Sequence, residues 1–115
     1  AIANAAVVVA NQVDADVIIA ETKSGATAAR IAACRPELPI AAVTPNKRVA
    51  QQLALSYATR SYVREEGEHV GTKLAKELLN WGTFGRDDKL TAVVVSGRQS
   101  GVAGGTDTLR VRVVE

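Results

Sequence analysis

The segment Thr22-Lys23-Ser24-Gly25, with Thr27 just beyond it, is where this sequence gathers groups able to hold an anion. Thr22, Ser24 and Thr27 offer hydroxyls, Lys23 supplies a positive charge, and Gly25 allows close backbone approach. Ala26 to Cys34 then carries a helical apolar pattern, so the turn opens a helix. The first N–H groups of a helix lack intrahelical partners and sit at the positive end of its dipole, a combination that binds phosphate. A purely local reading competes: Thr22 or Ser24 caps the helix and Gly25 eases the turn. The spacing is neither the Gly-x-x-x-x-Gly-Lys-Ser/Thr of a P-loop nor the three-glycine dinucleotide fingerprint.

A second stretch, Gly97 to Gly105, reads Gly-Arg-Gln-Ser-Gly-Val-Ala-Gly-Gly. It is either a flexible hairpin loop or a mobile lid over the first turn. As a lid, it would bring Gly101 and Gly104 close to a ligand and let Arg98 reach a second anion. No catalytic set stands out. His69 is the only histidine and lies among Glu65, Glu66 and Glu68, a solvated helix face. His69 and Cys34 are too few ligands for a metal centre. Asp14 and Asp16 read as a helix stop, and Asp87-Asp88 as a charged turn.

These groups need a scaffold, and the periodicity provides one. Ile2, Ala5, Ala6, Val9 and Val13 mark a first helix, ended by Asp14-Ala15-Asp16. Val17 to Ala20 is a short continuous apolar run, the mark of a parallel strand covered on both faces. The helix Ala26 to Cys34 is ended by Arg35-Pro36-Glu37. Ile40 to Val43 is a second strand, and Thr44-Pro45-Asn46 starts a third helix through Val49, Leu53 and Ala54, capped by a hydroxyl or amide with Pro at or near its first position. Ser61 to Val63 is a third strand. Gly67 to Trp81 is a fourth helix with Val70, Leu74, Leu78 and Trp81 on one face, and Thr91 to Ser96 is a fourth strand. Thr108 to Val114 alternates, with Leu109, Val111 and Val113 facing one way and Arg110 and Arg112 the other, which marks an edge strand returning as a hairpin. The order implies a three-layer α/β/α fold: a five-stranded, mostly parallel sheet with an antiparallel C-terminal edge strand. Ligands in such sheets bind beyond the carboxyl ends of the strands, where the loops Thr22 to Thr27, Thr44 to Lys47 and Gly97 to Gly105 fall.

A chain of 115 residues is the size of one domain, expected here to span residues 1–115. Its aromatics amount to 3%, so an aromatic-lined pocket is not expected, whereas the Ala, Val, Leu and Ile stock suits a sheet under close-packed helices. The 14 basic and 12 acidic residues are interspersed and leave a formal charge of +2, which argues against nucleic acid and against anionic membranes as partners. No apolar run approaches the ~20 residues of a membrane span, and no signal peptide is visible. A single cysteine, Cys34, precludes an internal disulfide, reads as a buried inert thiol, and points to an intracellular, cytoplasmic setting. The chain opens on Ala1 rather than Met, the expectation for a processed or excised piece.

Taken in order, several blocks resemble the C-terminal domain of pyruvate kinase, and the likeness covers essentially the whole chain. The blocks are Thr22-Lys23-Ser24-Gly25 with Thr27-Ala28, Arg35-Pro36 with Pro39-Ile40, and Ala42-Val43-Thr44-Pro45-Asn46. Ala50 with Gln52-Leu53-Ala54-Leu55 follows, then Val94-Val95-Ser96-Gly97 and Thr106-Asp107-Thr108-Leu109-Arg110-Val111. The resemblance implies a five-stranded α/β domain outside the phosphoryl-transfer site, which the family keeps in a separate barrel domain that moves phosphate from phosphoenolpyruvate to ADP. Mg²⁺ and K⁺ would belong to that barrel, with no cofactor in this domain and no catalytic residue in this chain. It further implies an allosteric effector, a sugar phosphate or nucleotide, and packing against a counterpart in a homotetramer. By position, Thr22, Lys23, Ser24, Gly25 and Thr27 match the family's phosphate-gripping loop, and Gly97 to Gly105, with Arg98, Gly101 and Gly104, its effector loop. Three departures bear on the ligand. Ala26 stands where Arg is frequent, Ser56 to Arg60 lacks an Arg-Gly pair, and Glu65 to Gly71 is short, without an Arg for a second phosphate. Two other functions fit the same residues. One is an assembly module with a vestigial anion loop, pairing through the strand Leu109 to Val113; the other is a small free-standing enzyme.

Overall fold

Parallel strands buried on both faces and helices ending at well-formed caps organise the chain, seen in a computed structural model that describes residues 2–22, 25–55, 59–65, 70–81, 89–96 and 108–115. The elements follow in the order α1 (Ile2–Gln12), β1 (Val17–Glu21), α2 (Ala26–Ala33), β2 (Ile40–Thr44), α3 (Lys47–Leu53), β3 (Thr59–Val63), α4 (Val70–Trp81), β4 (Leu90–Ser96) and β5 (Thr108–Val114). The sheet order is β3-β2-β1-β4-β5. The first four strands are mutually parallel, and β5 runs antiparallel to β4 at the edge. The fold is thus the α/β arrangement with an antiparallel C-terminal edge that the element order implies.

Alternation along the strands divides the core in two. Ile18, Ala20, Ile40, Ala42, Val93 and Val95 pack with residues of α1, α2 and α3. Val17, Ile19, Ala41, Val43, Ala92 and Val94 pack with Leu74, Ala75 and Leu78 of α4. Among the described elements, three helices cover one face and a single helix covers the other.

Helix α1 is rotated from its expected orientation. Ala3, Ala6 and Ala10 are buried, while Ala5 and Val13 are exposed and Val9 is half-buried. The helix is apolar almost all round, so period alone could not select its inner stripe, and the small alanines permit the closest approach to the sheet. Its end is a Schellman motif: Asp14 takes a left-handed φ of 54°, Ala15 N–H donates to Ala10 O at 2.9 Å, and Asp14 N–H to Asn11 O at 3.4 Å. Helix α2 ends at a left-handed residue too, Arg35 with φ 51°, one position before the proline expected to stop it.

Three further expectations change. Trp81 does not join Leu74 and Leu78 in the core; it is 55% exposed at the end of α4, its ring 6.3 Å from that of Tyr62. Strand β5 does not bury its Leu109-Val111-Val113 face. Leu109 packs against the three-helix core, but Val111 and Val113 are 40% and 50% exposed, lying at the sheet edge beyond that cover. It is Val114, on the Arg110-Arg112 side, that enters the core under α4. Cys34 is half-buried rather than buried, and its Sγ donates to Asn4 Oδ1 at 3.0 Å and to Arg30 O at 3.3 Å. The start expected for α4 at Gly67 lies outside the described residues, as do His69 and Asp87-Asp88.

Candidate functional site

The chain runs outward from β1 through β2 to β3, then returns to lay β4 on the other side of β1. In open α/β sheets such a reversal is where a ligand crevice forms, and here it falls beyond the carboxyl ends of β1 and β4, where Glu21 pairs in register with Ser96. The segments that follow these two strands are the two expected to hold an anion. The strands they follow are adjacent and parallel. Lys23, Ser24, Arg98, Gly101 and Gly104 themselves lie outside the described residues.

Of the first turn, Thr22, Gly25 and Thr27 are described. Thr22 is 7% exposed, and its N–H donates to Val43 O at 2.9 Å, which ties the turn to β2. Its Oγ1 accepts the Gly25 N–H at 2.9 Å. Gly25 is the N-cap residue of α2 with φ 90°, and a Cβ there would stand 3.2 Å from Val49 Cγ1 of α3. Positive φ and this close approach both call for glycine. Thr27 is buried in the first turn of α2. The Thr22 hydroxyl does part of what the local reading assigns it, bracing the turn. Gly25 itself, as the N-cap residue, offers α2 no side chain.

The neighbouring helix start behaves in the opposite way. Thr44 is fully buried at the end of β2, and its Oγ1 accepts the Asn46 N–H at 3.2 Å. Asn46 Oδ1 then accepts from Arg48 N–H at 2.9 Å and Val49 N–H at 3.2 Å. The amide, not the hydroxyl, is the cap of α3, and Pro45 precedes it rather than opening the helix. The loop Thr44 to Lys47 thus satisfies its helix internally, whereas Gly25, the N-cap residue of α2, has no side chain with which to do so.

One residue in the crevice escapes sequence reasoning. Glu21, half-buried at the end of an otherwise apolar strand, turns its Oε2 to the Gly71 N–H of α4 at 3.2 Å. A Cβ on Gly71 would lie 2.5 Å from that oxygen and 2.8 Å from Val94 Cγ1, so glycine lets α4 start directly against the sheet. The available signal was an acidic residue following the buried run Val17-Ile18-Ile19-Ala20. At the other end of the sheet Asp16 does more than stop a helix. Its N–H donates to Thr91 O at 2.7 Å and its Oδ2 accepts the Thr91 N–H at 2.9 Å, clamping the starts of β1 and β4 together. Among the described residues, no group of three or more His, Cys, Asp or Glu could hold a metal ion, and no helix is long and apolar enough to cross a membrane.

Comparison with known proteins follows this geometry. The family model described as pyruvate kinase, alpha/beta domain, matches residues 1–112. A pyruvate kinase of Agrobacterium vitis is 38% identical over 114 residues, covering 96% of this chain and 24% of that protein. One of Clostridium acetobutylicum is 34% identical over 110 residues, covering 92% of this chain and 23% of the relative. Among solved structures, Cryptosporidium parvum pyruvate kinase in complex with ADP superposes with a TM-score of 0.81 at 27% identity, over 96% of this chain and 22% of that one. This chain belongs to the pyruvate kinase family and has the fold of its C-terminal α/β domain. It spans about a quarter of the length of the curated relatives it matches.

Proposed function

We propose that the chain is the regulatory domain of a pyruvate kinase, a single α/β unit that binds a small phosphorylated effector, a sugar phosphate or a nucleotide, at the crevice between β1 and β4. The observation that carries this reading is the start of α2. It lies at the reversal of strand order and is opened by a glycine with φ 90°. A phosphate would sit at the positive end of the α2 dipole, with Lys23 supplying charge and the hydroxyls of Ser24 and Thr27 donating to its oxygens. The Gly97 to Gly105 segment, which follows β4 in the chain, would close over the ligand through Arg98, Gly101 and Gly104. Phosphoryl transfer from phosphoenolpyruvate to ADP, with its Mg²⁺ and K⁺, would take place in a catalytic domain of the same polypeptide, in the cytoplasm. Calorimetric titration of sugar phosphates and AMP tests the site. Wild-type should bind at least one of them, and Lys23→Ala and Ser24→Ala should each weaken it about tenfold or more. Equally flat traces for wild-type and variants across every ligand would remove the effector from this reading.

A second role is supported by β5. It is one of the two edge strands of the described sheet, and Val111 and Val113 are exposed on it, as they would be on a strand that meets a second copy of the chain. The same domain would then assemble the homotetramer. Light scattering at rising concentration should detect association that Val111→Lys abolishes; a strict monomer in the wild-type chain argues against assembly through this edge.

A further inference from the structure

We draw no further inference here: the strongest candidate, the surface patch where the exposed Trp81 at the end of α4 meets Tyr62 of the edge strand β3, carries nothing because nothing in the structure shows what covers it.

Discussion

The two faces of the sheet are covered by different means. One carries α1, α2 and α3, and its contacts are largely alanines: Ala3, Ala6, Ala10, Ala28 and Ala32 against Ile18, Ala20 and Val93. The other carries α4 alone among the described helices, and fills its core with Leu74, Leu78 and Leu90 around a single glycine contact at Gly71. Several helices side by side must each come close to the sheet, which small residues permit. A lone helix must cover more area per residue, which requires leucines. The strand ends at the reversal inherit the asymmetry: on the α2 side Gly25 carries a φ of 90°, and on the α4 side the Glu21 carboxylate accepts the Gly71 N–H.

The largest expected effect tests whether the single-helix face depends on fewer residues. Leu78→Ala should cost about 4 kcal/mol in urea denaturation and Ile31→Ala, on the three-helix face, nearer 3 kcal/mol, both within the usual range for fully buried aliphatics. The reverse order would break the comparison. Next, Gly71→Ala should destabilise by about 2 kcal/mol, because its Cβ meets both the Glu21 carboxylate and Val94. Loss of hydrogen-exchange protection at the amide of position 71 in that variant would locate the cost at the Glu21 contact. Gly25→Ala, on the α2 side, should cost about 1–2 kcal/mol from the positive φ and the contact with Val49, read as a lowered thermal midpoint. The smallest change belongs to the start of α3. Asn46→Ala removes a cap accepting two N–H groups, for about 1 kcal/mol, and should leave phosphate titrations unchanged. Weakened phosphate binding in that variant would blur the distinction between the Asn46-capped start of α3 and the glycine-opened start of α2.

Much of the scaffold was legible in the residues. Val17 to Ala20 could hardly be anything but a buried parallel strand, and Asn46 and the αβ alternation placed the helix starts within a few residues. The stripe of α1 was not legible, because a helix apolar nearly all round leaves period without contrast. Nor was the face of β5, since alternation marks two faces without saying how far a neighbouring helix extends over them. In the crevice, Thr22, Gly25 and Thr27 announced themselves through turn chemistry within a few positions of one another. Glu21 did not, because its partner Gly71 lies fifty residues away and its role exists only across the sheet.

The sequence by itself determined the α/β order, the antiparallel last strand and a glycine-bearing turn at the start of α2, because these depend on period and local backbone preference. Tertiary structure alone decided which helix start is capped from afar, which valines of β5 stay exposed, and that the first turn and the segment after β4 leave adjacent strands. Those outcomes depend on strand order and helix placement, and both follow from packing between residues distant in the chain.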